Sequence, residues 1–236
     1  MHIRDERAYQ LSHSLYPLIL QSDVFVGEMN LGGSGAFKEL TKYDARKHMG
    51  EDVFEKLRKQ LLKSFSIDLQ MFNHLHPLMI MSAISNSVLE AQHSISLDEH
   101  LWNFAKENSK PTLGLESMEE QFQILHSIEA PPMYKQILSI GRHPSSVRKH
   151  TARGLKLYLE GRIHELYILS KSSMHHLRKK IIYERNAKMS AVISSSDVSL
   201  QYFITVGAGH LSGKTGILSL LKKAGWKVKP VHLLPD

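Results

Sequence analysis

The clearest chemical pattern in the chain is the stretch VGAGHLSGKTGI, at residues 206–217. Its segment from Ala208 to Thr215, AGHLSGKT, fits a permissive phosphate-binding loop, in which backbone amides hold phosphate and the Lys-Thr pair contacts nucleotide and Mg²⁺. The overlapping GAGH, at 207–210, instead places His210 on a glycine-rich turn after a strand, as a metal site would. The two interpretations predict a nucleotide binder and a metalloenzyme.

The position of this stretch in the chain weighs against the phosphate loop. Only about one strand is expected after Thr215, whereas such loops lie near the start of their domains and draw a Mg²⁺-binding Asp from a later strand. The segment DVFVGE could supply an acidic strand end, but it comes earlier in the chain. The phosphate loop is therefore the weaker of the two interpretations.

Four residues at expected strand ends could form a metal site: His2, Glu28, Glu116 and His210. The carboxyl ends of parallel strands converge on one crevice, so distance along the chain is no obstacle. Two imidazoles and a carboxylate can hold a catalytic divalent ion with an open position for water, and a further carboxylate can serve as general base. Because the chain has no cysteine, any metal must rest on His, Asp or Glu.

Each of these residues also has a purely structural interpretation. His210 could cap a helix, which is the interpretation that its spacing alone favours. Glu28 could be a solvated strand end, and Glu116 could stabilise the N-terminus of the helix that follows it. Spacing leaves these alternatives open.

The elements that must position these residues alternate between strands and helices. Strands are expected at VFVG (24–27), PTLGL (111–115), QYFITV (201–206) and WKVKPV (226–231). Helices are expected at Arg7–Leu20, 50–65, 67–89, 98–108 with Asp98 as cap, 117–125 with a Ser117–Glu120 capping box, most of 133–194, and 210–225 up to Gly225. This alternation predicts a single α/β domain over 1–236, with a mainly parallel central sheet flanked by helices and large helical insertions at about 50–108 and 131–195.

Composition limits the partners. The 236 residues carry a formal charge of +7, but the basic run from Arg142 to Lys188 has no recognised nucleic-acid motif or aromatic stacking pattern, so we expect no nucleic-acid partner. No apolar run approaches the roughly 18 residues of a membrane span. The chain as given carries no export signal, so its localisation stays unknown: cytoplasmic by default, or the cell envelope if an upstream signal is missing.

Taken in order, five segments resemble the TraB and GumN proteins, relatives of the Tiki metalloproteases and, more distantly, of erythromycin esterases and the haem-binding ChaN. The resemblance covers essentially the whole chain. Its segments are MHIRDERAYQ, DVFVGEMNL, LDEHLWNFAKENSKPTLGLESMEEQ, IIYERNAKMSAVI and VGAGHLSGKTGILSLLKKAGWKVKPV. The last is the most specific, and the ordered set is stronger than any one segment. One departure is that the Gly of the first Gly-x-x-His motif would lie before Met1, so a first strand is expected to be missing.

The resemblance implies roles for individual residues. His2 and His210 are the motif histidines and metal ligands, with Glu28 as their acidic partner; Glu28, Glu116 and Arg185 are catalytic; Asn186 and Gln121 bind substrate; and Gly207, Gly209 and Gly213 shape the turn, while Lys214 and Thr215 open the helix. The implied function is a metal-dependent hydrolase, a Tiki-like peptidase acting on peptides or proteins with manganese, cobalt or zinc. The alternatives are a non-catalytic module that binds a peptide signal or haem and, third, the nucleotide binder. The amphipathic helices from 133 to 194 could form a homodimer face.

Overall fold

The computed structural model describes residues 3–10, 12–32, 42–89, 91–173 and 177–231. Its α-helices are α1 (Glu6–Tyr9), α2 (Ser12–Gln21), α3 (Ala45–Met49), α4 (Glu51–Phe65), α5 (Pro77–Ser87), α6 (Leu97–Glu107), α7 (Met118–His126), α8 (Ala130–Arg142), α9 (Pro144–Leu159), α10 (Ile163–Ser173), α11 (Arg185–Ser194) and α12 (Ile217–Lys223). Its strands are β1 (Val24–Met29), β2 (Thr112–Glu116) and β3 (Tyr202–Ile204). Short 3-10 turns lie at Leu69–Phe72 and Ala208–His210, and a π-helical turn lies at Lys179–Glu184.

The strands form a parallel sheet in the order β2-β1-β3. Phe25 pairs with Thr112 on one side and with Phe203 on the other, so β1 is central. Helices connect and flank the strands, which confirms the predicted α/β class and the mainly parallel sheet.

Helices cover both faces of β1 because alternate side chains of a strand point to opposite faces. Val24 and Val26 pack in one cluster with Met189 and Ile193 of α11. Phe25 packs in another cluster, which includes residues of α2 and α6. Burial on both faces explains why this strand reads as a short apolar run rather than as an alternating one.

The chain forms two compact units. The described residues of the first are 42–89 and 119–155, and those of the second are 3–10, 12–32, 91–118, 156–173 and 177–231. The first unit is helical, and its core includes Phe54, Leu57, Leu61 and Phe65 of α4, spaced to share one helix face. The second unit contains the sheet. The expectation of a single domain with helical insertions stays a prediction, although α6, assigned to the first insertion, contacts β1 and β2.

The sequence prediction of a closing strand at 226–231 is wrong. These residues have no regular secondary structure, and most of them are exposed. An extended segment becomes a strand only when a neighbour accepts its backbone hydrogen bonds, and Pro230 has no N–H to donate.

Four helix predictions also differ from the structure. Lys214 and Thr215 lie in a turn, because Gly213 has a φ of +94° that no α-helix accommodates, and α12 begins only at Ile217. The N-cap of α6 is Ser96 rather than Asp98, which lies in the first turn of the helix. The predicted helix at 67–89 is interrupted and restarts at Pro77, where His76 accepts the Leu78 amide. The segment predicted as one helix over Arg7–Leu20 contains α1 and α2.

Candidate functional site

Glu28 and Glu116 lie at the carboxyl end of the sheet. Glu28 is on the same face of β1 as Val24 and Val26, because two-residue steps return to the same face, and α11 covers that face. Glu116 is the last residue of β2 and pairs in register with Met29. The parallel arrangement therefore brings two carboxylates, distant in sequence, to one edge.

Arg185, the first residue of α11, binds both carboxylates. Its Nε lies 3.1 and 2.9 Å from the two carboxylate oxygens of Glu116, and its Nη2 lies 2.6 Å from Glu116 Oε2. The same Nη2 donates to Glu28 Oε1 at 2.5 Å. The Glu116 side chain is 1% exposed and that of Glu28 is 27% exposed, so Glu116 is the buried anchor and Glu28 the carboxylate that solvent reaches.

Asn186 fixes the orientation and the tautomer of His210, which is buried in the turn after β3. The amide nitrogen of Asn186 donates to the backbone carbonyls of His210 and Thr215, at 3.2 and 2.7 Å, so its Oδ1 is an acceptor. This oxygen lies 2.6 Å from His210 Nδ1, which must therefore be the protonated nitrogen of the neutral ring. The lone pair on Nε2 then faces Glu28 Oε1 at 3.6 Å and Arg185 Nη1 at 3.4 Å.

Burial and charge act together on the titration of this cluster. Burial lowers the pKa of His210 and outweighs the opposing effect of Glu28, while Arg185 lowers it further. Burial is also the largest influence on Glu28 and raises its pKa, but the charges of His210 and Arg185 and the Gly207 amide together bring that pKa below its ordinary value. The charges of His210 and Arg185 are thus the two main influences that oppose the effect of burial on the pKa of Glu28.

Two groups in the cluster have the chemistry of metal ligands. Two ligands of a tetrahedral ion, each about 2.1 Å from it, lie about 3.4 Å apart, which fits the 3.6 Å between His210 Nε2 and Glu28 Oε1. The bond from His210 Nδ1 to Asn186 is the outer hydrogen bond that metal-binding histidines commonly make. The described residues contain no group of three His, Asp or Glu arranged around a metal position. His2, the third predicted ligand, lies outside the described residues.

Steric demands differ among the three turn glycines. The Gly207 amide donates to Glu28 Oε2 at 2.8 Å, and a Cβ at Gly207 would lie 3.1 Å from that oxygen. A Cβ at Gly213 would lie 2.4 Å from the Tyr167 ring. A Cβ at Gly209 would meet nothing within 4 Å, so the structure gives no steric reason for glycine there.

The same segment does not have the geometry of a phosphate-binding loop. Such a loop places its Lys-Thr pair on the first turn of a helix and points backbone amides at the phosphate. Here Lys214 and Thr215 precede the helix, and the carbonyls of His210 and Thr215 are bonded to Asn186.

The two predicted substrate-binding residues have different surroundings. Asn186 is 0% exposed and uses both ends of its amide to hold His210 and the turn after β3, and its role in substrate binding stays a prediction. Sequence reasoning missed this positioning role, for which the only signal was its place next to Arg185. Gln121 lies on α7, in the part of that helix that belongs to the first compact unit. Its role in substrate binding stays a prediction.

The fold and the site together define a class of protein: an α/β protein with two carboxylates, an arginine and an oriented histidine at one edge of its sheet. The chain belongs to the TraB/PrgY/gumN family, whose model matches residues 1–230. No curated protein and no solved structure matches it. In the part of the chain that the structure describes, no helix combines the length and the hydrophobicity needed to cross a membrane.

Proposed function

We propose that the protein is a metal-dependent hydrolase that cleaves peptide bonds, a peptidase of the Tiki type. His210 Nε2 and Glu28 Oε1 would hold the metal, with His2 as the predicted third ligand. The observation that carries the proposal is the orientation of His210: its Nδ1–H is bonded to Asn186, which leaves the lone pair on Nε2, the nitrogen that lies 3.6 Å from Glu28 Oε1.

The charge of the cluster supports a cation at this edge. Two carboxylates and one guanidinium sum to −1 when His210 is neutral, and burial of His210 favours its neutral form. A neutral imidazole and a carboxylate are ligands that divalent manganese, cobalt and zinc accept. A bound ion of this kind would lower the pKa of water and polarise the peptide carbonyl.

The two carboxylates differ in their access to a substrate. Glu116 is buried, and three contacts from Arg185 hold it. Glu28 thus fits the predicted role of metal ligand, whereas Glu116 fits a positioning role, in which it holds Arg185 against Glu28.

Metal content and peptide cleavage, measured on the same samples, test the proposal. Protein purified without chelator is assayed for bound metal and for cleavage of a fluorogenic peptide mixture, as wild type, His210→Ala and His13→Ala. His13 is the matched control because it is an exposed histidine in the same compact unit. We expect wild type and His13→Ala to bind metal and cleave, and His210→Ala to lose both at least about tenfold. Cleavage that survives in His210→Ala would contradict the metal-site mechanism.

The second candidate is a non-catalytic module that binds a peptide signal or haem. The observation favouring it is that Arg185 Nη1 lies 3.4 Å from His210 Nε2, so the guanidinium can occupy the lone pair that a metal would use. This candidate predicts a Soret absorbance band after haem addition, or binding of uncleaved peptide, in protein that holds no metal. Either result combined with absent cleavage would replace the hydrolase.

A further inference from the structure

A second arginine, Arg178, is buried under two tyrosine rings. Its residue is 3% exposed, and its guanidinium carbon lies 4.3 Å from the ring centre of Tyr167 and 5.6 Å from that of Tyr183. Nη1 donates to Ser170 Oγ at 3.1 Å and Nε donates to the Tyr183 hydroxyl at 3.0 Å, while the buried Nη2 has no hydrogen-bond partner among the residues that the structure describes. Among the described residues, no carboxylate forms an ion pair with Arg178.

The unsatisfied edge of Arg178 is the edge that binds carboxylates. Nε and Nη2 of an arginine point in the same direction and form a fork that matches the two oxygens of a carboxylate. Arg185 uses this same edge for the carboxylate of Glu116. In Arg178 one half of the fork holds the neutral Tyr183 hydroxyl and the other half is empty. A buried cation normally has an anionic partner, because burying an unpaired charge is costly.

We propose that Arg178 forms an anion-binding subsite that takes a carboxylate of a peptide ligand. The further step, that this ligand is a substrate, rests on the proposed function. The Tyr183 hydroxyl occupies the place of one carboxylate oxygen, and Nη2 receives the other. Tyr183 and Tyr167 are only half-buried, so the guanidinium lies one side chain below the surface. Rotation of Tyr183 about its side-chain bonds opens the fork to a ligand.

The subsite lies on the helical segment that continues into α11. Arg178 and Arg185 are seven positions apart, joined by the π-helical turn Lys179–Glu184. At about 1.5 Å per helical residue the separation along the axis is roughly 10 Å, which about three residues of an extended peptide span. π-helical turns are rare and often occur at functional sites. Tyr167, stacked on Arg178, also packs against Gly213 of the His210 turn. The carboxylate is thus expected about three residues from the cleaved bond.

Calorimetric titration with short peptides tests the subsite without relying on cleavage. Protein is stripped of metal by chelation and dialysed, so that hydrolysis does not contribute. Three probes are compared: N-acetyl-trialanine with a free terminal carboxylate, N-acetyl-Ala-Glu-Ala amide with a side-chain carboxylate, and N-acetyl-trialanine amide with neither. We expect at least one carboxylate probe to bind about tenfold or more tightly than the amide. The tighter of the two shows whether the anion is a chain end or an acidic side chain.

Variants of the arginine decide whether this preference depends on the fork. Arg178→Met should abolish it, and Lys179→Met should retain it, because Lys179 is the exposed neighbouring cation. If Arg178→Met does not fold, Arg178→Lys decides instead: it keeps the charge but lacks the two-pronged edge, and should lose most of the preference. Equal binding of acid and amide by wild type, or an undiminished preference in the folded Arg178 variants, would overturn the proposal.

The outcomes separate this subsite from the hydrolase. A carboxylate preference that depends on Arg178, in protein that never cleaves peptides, would keep the anion site and reject the peptidase. Cleavage that depends on His210, with no carboxylate preference, would keep the peptidase and reject the anion site.

Discussion

Replacing Arg185 by Gln should destabilise the second compact unit strongly. The substitution removes the guanidinium that bonds to both carboxylates, one of which is only 1% exposed. Removing one partner of a buried ion pair typically costs about 3–5 kcal/mol, because the remaining charge stays buried without it. An exposed ion pair contributes only about 0–1 kcal/mol. The expected loss of about 3–5 kcal/mol for Arg185→Gln is therefore distinct from that of a surface substitution.

Urea unfolding followed by tryptophan fluorescence measures this loss in the relevant unit. The chain has two tryptophans, Trp102 and Trp226, and both lie in the second unit. Trp102 is 3% exposed and its ring centre lies 6.0 Å from that of Phe25 on the central strand, so its emission reports on the sheet core. The shift in midpoint, multiplied by the slope of the transition, gives the change in the free energy of unfolding.

Arg162→Gln is the matched control for this measurement. Arg162 lies in the same unit and also binds two glutamates, Glu160 and Glu165, but its side chain is 47% exposed. We expect it to cost far less than Arg185→Gln, because exposed ion pairs contribute little to stability. The double substitution Arg185→Gln with Glu116→Gln should recover part of the loss, because it removes the buried charge as well. An Arg185→Gln variant no less stable than Arg162→Gln would refute the reasoning.

Other predictions concern the histidine orientation, the stability of α5 and the turn before α12. Asn186→Ala should weaken metal binding about 10–100-fold in a metal titration; unchanged affinity in folded protein would contradict its positioning role. Burial lowers the pKa of His76, so below about pH 6.5 the unfolded chain takes up a proton that the folded chain does not, and the melting temperature should fall with pH. His76→Asn should reduce this dependence of the melting temperature on pH, and His143→Asn, at an exposed histidine, should keep it. Equal dependence in the two variants would show that the buried His76 is not its cause. Gly213 and Gly225 have φ values of +94° and +93°, and an added Cβ costs about 1–2 kcal/mol at either. Only at Gly213 would the added Cβ also meet a ring, 2.4 Å away. Gly213→Ala should therefore lose a further ~1–3 kcal/mol of stability and unfold at a lower urea concentration than Gly225→Ala. Equal midpoints for the two variants would exclude this ring contact as a cause.

The convergence of the site was predictable because it follows from backbone topology. Parallel strands end at one edge, so Glu28 and Glu116 could be placed together once VFVG and PTLGL were identified as strands. His210 follows the third strand by the same rule. The resemblance added Arg185, which no periodicity singles out among the many basic residues between 142 and 188.

The features that escaped prediction depend on side-chain direction or on tertiary neighbours. The amide of Asn186 could equally have faced a ligand, and only the positions of the His210 and Thr215 carbonyls determine that it faces inward. The segment WKVKPV alternates as a strand does, but alternation cannot show whether a neighbouring edge is available to pair with it.

Stability alone gives a poor account of the charged cluster. Replacing a buried ion network by well-packed apolar residues is often neutral or stabilising, so a fold has little need of Glu116 and Arg185 for its own sake. The same two residues do more for Glu28, because Glu116 holds the guanidinium that binds Glu28 and helps to lower its pKa. An ionised carboxylate and an imidazole lone pair facing each other across 3.6 Å attract a cation rather than each other. An apolar replacement of Glu116 and Arg185 that preserved stability but abolished metal binding would therefore assign this network to function.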